Sequence, residues 1–169
     1  GGLLGVTAVI FLYSRANKIK FLSLADFVAP LVPAGLFFGR LGNFVNQELY
    51  GRATDVSWAM IFPADPLRLP RHPSQLYEAF LEGILLFIIV HIFARRPRSS
   101  GQVAGIFLVF YGFFRFLVEF VRQPDAQFLN KNALLPMFDW MTRGQLLCIP
   151  MILLGLWFLR NLYSAKVKE

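Results

Sequence analysis

The sequence is poor in the residues that carry covalent and metal chemistry: it has one cysteine, Cys148, and two histidines, His72 and His91. A lone cysteine forms no intrachain disulfide, and inside an apolar run it reads as a small buried hydrophobe. No metal-ligand cluster, Ser-His-Asp order or phosphate-binding glycine loop can be assembled from so few groups, which argues against a metal enzyme or a covalent-thiol enzyme and predicts no cofactor. Charge is scarce as well. Only 16% of the 169 residues are charged, 56% are hydrophobic and the mean hydropathy is +0.54. Soluble domains sit nearer ~45–50% apolar, so the composition predicts a polytopic membrane protein. Internal repeats and low-complexity tracts are missing too, so residues 1–169 read as a single transmembrane helical domain.

The net charge of +7 and pI near 10.0 do not point to nucleic acid, because the basic residues fall in short clusters between apolar runs. The chain starts Gly1-Gly2-Leu3-Leu4 without Met or the basic start of a signal peptide, and its first apolar run, Leu3 to Tyr13, is shorter than the ~20 residues that span the hydrocarbon core. It reads as a truncated helix in a piece of a longer chain. Four further runs reach that length: Phe21 to about Phe44, Gln75 to Ala94, Gly101 to Val121 and Gly144 to about Tyr163. The expected fold is therefore all-α, a bundle of about five membrane helices. Arg15, Lys18 and Lys20, then Arg95, Arg96 and Arg98, then Arg160, Lys166 and Lys168 form basic segments that alternate with loops of mixed charge. By the positive-inside rule these segments and the C-terminus are cytoplasmic, and the connections at about 45–74 and 122–143 face outward. Residues 51–74 hold Trp58, Phe62, four prolines and mixed charges, residues 123–143 hold Pro124, Asp125, Pro136, Asp139 and Trp140, and the Trp and Tyr here suit the interfacial belt. Pro30, Pro33, Gly35 and Gly39 predict a kink in the second helix, either beside an intramembrane site or for packing alone.

Ionisable groups in a membrane segment are costly and commonly functional. Tyr111, Arg115, Glu119 and Arg122 stand at i, i+4, i+8 and i+11, along one face of a Phe-, Leu- and Val-rich helix. Arg115 then lies on the order of 10 Å deeper than Arg122. An Arg115–Glu119 pair that pins neighbouring helices would explain part of this stripe without any ligand. Arg40 approaches the same membrane face from another helix, and two guanidiniums without matching carboxylates suggest a phosphate, which suits their fork of donors. Asn43, Asn46 and Glu48 add groups that can hold glycerol hydroxyls or orient the arginines. Gly39, Gly42 and Gly51 permit close backbone approach, or serve helix packing. The run Arg71-His72-Pro73-Ser74-Gln75-Leu76-Tyr77-Glu78 enters the third helix, with Pro73 or Ser74 suited to its first turn and Glu78 and Glu82 at i, i+4. His72 there is either a general base or a structural hydrogen-bonding group; Asp26 reads as a cytoplasmic-side structural partner, and His91 carries no assignment.

The stretch Gly39-Arg40-Leu41-Gly42-Asn43-Phe44-Val45-Asn46-Gln47-Glu48-Leu49-Tyr50-Gly51-Arg52 closely resembles the signature of prolipoprotein diacylglyceryl transferases. The runs His72 to Glu78 and Tyr111 to Asp125, and Gly144-Gln145, resemble that family's segments in the family's order. The resemblance implies a bacterial inner-membrane transferase that moves diacylglycerol from phosphatidylglycerol to the lipobox cysteine of a prolipoprotein and releases glycerol phosphate. It implies that Arg40 and Arg115 are the essential arginines, with Asn43, Glu48, Gly51, Tyr111, Glu119 and Arg122 around the site toward the periplasmic face; Asn46, from its own place between Asn43 and Glu48, is expected to bind substrate with them. The family's histidine, proposed as general base, would stand just before Gly1. A transporter or channel with a buried Arg/Glu/Asn anion site is the competing reading, and it would need polar access from both membrane faces. A structural subunit would instead tolerate loss of Arg40 and Arg115.

Overall fold

The computed structural model describes residues 2–123 and 141–166. Pro124, Asp125, Pro136, Asp139, Trp140 and Lys168 lie outside the described residues. The architecture is helical: α1 (Gly2–Ala16), α2 (Phe21–Val28), α3 (Val32–Val45), α4 (Ser74–Glu78), α5 (Leu86–Ala94), α6 (Gln102–Val118) and α7 (Arg143–Lys166). Among the described residues, three stretches are long and apolar enough to cross a membrane: Phe21–Val45, Ser74–Ala94 and Arg143–Arg160, with 25, 21 and 18 residues. Their outer faces carry Phe27, Phe38, Phe80, Ile92, Leu147, Leu153 and Trp157, all exposed, as lipid-facing side chains are.

The long helices are interrupted where the sequence gives local cause. Between α2 and α3 the chain tightens into a 3-10 turn at Ala29–Leu31, because Pro30 and Pro33 remove two backbone donors. Between α4 and α5 it widens into a π-helical stretch, Ala79–Leu85. Gly83 lies in that stretch against α3, where an added Cβ would stand 2.7 Å from Phe37 Cβ and 3.0 Å from Phe37 Cα. The helix expected over 101–121 is shorter. It ends at Val118, with Glu119 as its C-cap, because the following residues turn away to form a bridge between Arg122 and Gly51.

Helices α6 and α7 pack through small residues. A Cβ on Gly155 would lie 2.7 Å from the Gly105 carbonyl oxygen, and one on Gly112 would lie 2.7 Å from Ile152 Cγ1. At its N-terminus α7 opens with a reciprocal cap: the Gln145 amide donates to Thr142 Oγ1 at 3.2 Å, and the Thr142 amide donates to Gln145 Oε1 at 3.0 Å. At the other end of α6, Asp26 of α2 accepts from the Gly101 and Ala104 amides at 2.6 and 2.7 Å, capping α6 from a neighbouring helix. Asp26 is thus a structural partner. Ala29, Leu86, Val90, Val103 and Phe114 form the buried core between these elements.

The connection from α3 to α4 packs against the chain that follows α6, the Arg52 amide donating to the Val121 carbonyl at 2.9 Å. It contains an antiparallel hairpin of two short strands, β1 (Met60–Ile61) and β2 (Pro70–Arg71). Beneath it Asp65 and Arg71 are buried and paired, with Arg71 Nε donating to Asp65 Oδ2 at 2.6 Å and Nη2 donating to Oδ1 at 3.1 Å. The hydrogen bonds from Arg71 hold the Asp65 carboxyl down to about 2, below the usual carboxylate value. Tyr50 stacks on Phe62 with ring centroids 5.4 Å apart and carries the Arg71 guanidinium over its ring at 4.8 Å.

Candidate functional site

Among the described residues, three arginines and three glutamates meet where the C-terminal ends of α3 and α6 face α4 and the π stretch. Arg40 of α3 places Nε 2.6 Å from Glu78 Oε2 and Nη2 3.7 Å from Glu82 Oε2. Arg115 of α6 places Nη1 3.2 Å from the same Glu78 oxygen and 3.7 Å from Glu82 Oε1, and its Nη2 lies 3.1 Å from Glu119 Oε2. Arg122 Nη1 lies 3.8 Å from that Glu119 oxygen. The guanidiniums therefore do have matching carboxylates, and the sequence expectation of two unmatched cations is corrected. The partners come mostly from Glu78 and Glu82, two residues to which the sequence reading gives no role. Both project from the α4 and π stretch toward α3 and α6, a pairing that only the tertiary fold creates.

Burial orders the network. The carboxylate side chains of Glu78, Glu82 and Glu119 are 1%, 0% and 4% exposed, whereas Arg40, Arg115 and Arg122 are 19%, 15% and 14% exposed. The acids are the buried layer of the network and the guanidiniums its more exposed layer. Glu119 is further held against the first turn of α7, where a Cβ on Gly144 would stand 2.8 Å from its carboxyl carbon. A helix N-terminus favours a carboxylate at that position.

Tight ties fix the elements that carry these groups. After α3 the chain reverses through Gln47 and Leu49, both left-handed at φ 59° and 55° although neither is glycine. The reversal is held by Gln75 Nε2 donating to the Glu48 carbonyl at 2.7 Å, by Ser74 Oγ donating to the Leu49 carbonyl at 3.1 Å, and by the Ala64 amide donating to Gln47 Oε1 at 2.8 Å. Ser74 begins α4 but spends its hydroxyl on this cross-tie rather than on a cap.

The remaining expected site residues divide into two groups. Tyr111 stands one turn before Arg115 on α6, half-buried and stacked on Phe107 at 5.6 Å between ring centroids. Asn43 follows Arg40 by one turn of α3, while Asn46 and Glu48 are exposed at the reversal. Gly51 is a backbone crossing point. Its amide donates to the His72 carbonyl at 2.8 Å, the Arg52 amide donates to the Val121 carbonyl at 2.9 Å, and a Cβ on Gly51 would lie 2.6 Å from the Val121 oxygen. Close approach is real there but not at Gly39 or Gly42, where nothing among the described residues comes within 4 Å of an added Cβ. His72 sits 3.3 Å through Nδ1 from Tyr77 Oη, which also accepts from Trp58 Nε1 at 2.7 Å.

An apolar groove of about 180 Å³ runs between α3 and the π stretch, lined by Pro33, Phe37, Phe38, Gly83, Ile84 and Phe87 among others. Gly83 follows Glu82 in sequence and Phe37 lies one turn before Arg40, so the groove and the ion network share the same two elements.

The prolipoprotein diacylglyceryl transferase family model matches residues 1–160. The chain belongs to the prolipoprotein diacylglyceryl transferase family. It is 54% identical over 160 residues to the phosphatidylglycerol–prolipoprotein diacylglyceryl transferase of Nitratidesulfovibrio vulgaris, covering 95% of this chain and 59% of that protein. It is 54% identical over 166 residues to the Haemophilus influenzae enzyme, covering 98% and 59%, and 58% identical over 155 residues to the Azotobacter vinelandii enzyme, covering 92% and 57%. The chain thus spans about three fifths of the length of these curated diacylglyceryl transferases. Membership in this family of transferases does not favour the transporter or channel reading.

Proposed function

We propose that the protein of which this chain is part transfers the diacylglyceryl group of phosphatidylglycerol to the lipobox cysteine thiol of prolipoproteins, at a site on the periplasmic side of the bacterial inner membrane. The observation that carries this reading is the pair Arg40 and Arg115, set on two helices with their guanidiniums more exposed than the carboxylates they pair with.

In the reaction the thiol sulfur attacks the glyceryl carbon, a C–S bond forms, the C–O bond to phosphate breaks, and glycerol phosphate leaves. The thiol proton passes to a base, for which the family resemblance implies the histidine before Gly1. Charge on the phosphate grows from one toward two as the bond breaks, so cations fixed around it stabilise the transition state more than the bound lipid. Arg40 and Arg115 hold that phosphate in this account, with Arg122 nearer the mouth, and Glu119 orients both Arg115 and Arg122. Asn43, Asn46 and Glu48 meet the glycerol hydroxyls, and Tyr111 lines the inner wall. Gly51 keeps the outer loop closed against the strand of chain after α6. The groove between α3 and the π stretch suits an acyl chain of the lipid, being apolar and continuous with the arginine-bearing element. One membrane domain, with the C-terminus cytoplasmic, fits the distribution of basic residues.

The test uses the full-length enzyme with phosphatidylglycerol vesicles and a prolipoprotein. Arg40→Ala and Arg115→Ala should each remove transfer while leaving insertion and yield near those of wild type. Retained transfer in either variant would show that its guanidinium does not act on the phosphate.

A further inference from the structure

The same oxygen, Glu78 Oε2, contacts both arginines that the proposed function assigns to the phosphate, at 2.6 Å from Arg40 Nε and 3.2 Å from Arg115 Nη1. We propose that Glu78 is a positioning residue, a buried bridge that sets the separation and orientation of Arg40 and Arg115 so that their outward N–H groups converge on one phosphate. The inference rests on the proposed function of that site.

Two guanidiniums brought together from separate helices repel each other, and a ligand phosphate alone would have to order both on arrival. A carboxylate of which 1% is exposed, placed behind them, removes that cost before the lipid binds. Its own position is fixed. Glu78 closes the first turn of α4, whose Ser74 and Gln75 side chains are tied to the reversal after α3, the element that carries Arg40. Glu82 lies 3.7 Å from both arginines, and neither of its carboxylate oxygens has a hydrogen-bond partner among the described residues; Glu78 lies closer to both, as an ion contact to Arg40 Nε outside hydrogen-bond geometry and as a hydrogen bond accepted from Arg115 Nη1.

The arrangement also has an electrostatic consequence. Three arginines face three glutamates, so an arriving phosphate meets a formally balanced site, and affinity is restrained while geometry is favoured. Removing the Glu78 charge should therefore do two opposite things: loosen the arginines and strengthen their pull on anions. Purely structural damage would not produce that split.

The experiment measures kcat, KM for phosphatidylglycerol and inhibition by added glycerol phosphate, using the full-length enzyme in vesicles. Glu78→Gln should lower kcat by about a hundredfold, the cost of a small misplacement at a reacting centre, while glycerol phosphate inhibits more tightly, by about tenfold, as Coulomb attraction to the freed cations requires. Glu78→Asp keeps the charge but withdraws the carboxylate by about one C–C bond, about 1.5 Å. It should lower kcat with inhibition unchanged, and it serves as the deciding variant if Glu78→Gln yields no folded protein. Wild-type kcat in both variants, or equal weakening of catalysis and inhibition in both, overturns the positioning role alone. A wild-type enzyme that glycerol phosphate does not inhibit at all, with Arg40→Ala still active, overturns the phosphate reading and the positioning role together.

Discussion

Replacing Gly51 with alanine separates a residue that meets substrate from one that lets two backbones cross. The added Cβ would stand 2.6 Å from the Val121 carbonyl oxygen and 2.7 Å from both Cβ and the carbonyl oxygen of His72. None of these atoms is the free end of a flexible side chain, so the strands must part. Overpacking of this kind costs about 1–3 kcal/mol. The crossing is held by hydrogen bonds from the Gly51 amide to His72 and from the Arg52 amide to Val121, each contributing about 0.5–1.5 kcal/mol. The expected loss is near the upper end, about 3 kcal/mol, a fall in Tm of about 6–12 °C for a chain of this size class. Thermal melting of the full-length protein in detergent reads it directly, and transfer activity at low temperature should recover in part. A variant with wild-type Tm and no activity would refute the crossing-point account and return Gly51 to the substrate surface.

The basic segments predict the orientation: with Cys148 first changed to alanine, Ala64→Cys in the exposed connection between α3 and α4 should react with an impermeant thiol reagent outside intact spheroplasts and Pro97→Cys should not, and the reverse pattern would invert the topology. The Asp65–Arg71 pair predicts acid sensitivity of the connection between α3 and α4. The Asp65 carboxyl sits at about 2 in the fold against 3.8 for the free group, so its stabilisation is full above about pH 4 and is lost as pH falls through about 2. Hydrogen exchange over residues 49–72, corrected for intrinsic rate, should rise across that window in wild type but not in Asp65→Asn, and a flat wild-type profile would contradict the pairing. Exchanging charges, Arg115→Glu with Glu119→Arg, should fail to restore a stable protein, because position 115 also faces Glu78 and Glu82; wild-type stability in the exchanged protein would show that the network is only a local pair.

Helix placement was legible because apolar runs of membrane length, prolines and basic clusters are local signals. Pro30 and Pro33 mark the 3-10 turn, and Arg40, Arg115, Glu119 and Arg122 announce themselves as charges in apolar surroundings. The partners of the arginines were not legible. Glu78 and Glu82 stand at i, i+4 on their own helix, and nothing local says that they reach α3 and α6. The π stretch has no signature in a single sequence, and strands of two residues are too short to show a period of two. Arg122 follows helical spacing from Arg115, yet the chain leaves the helix first because Gly51 offers it a backbone partner. Thr142-Arg143-Gly144-Gln145 is a readable signal that sequence reasoning passed over: a capping box immediately before an apolar run.

The most direct test of the central claim is the transfer activity of Arg40→Lys in the full-length enzyme. Lysine keeps the positive charge beside Glu78 and Glu82 but lacks the planar fork that can grip a carboxylate behind and a phosphate in front at once. The account predicts normal insertion and activity reduced nearly as far as in Arg40→Ala; an Arg40→Lys enzyme that retains most of its transfer activity would contradict it.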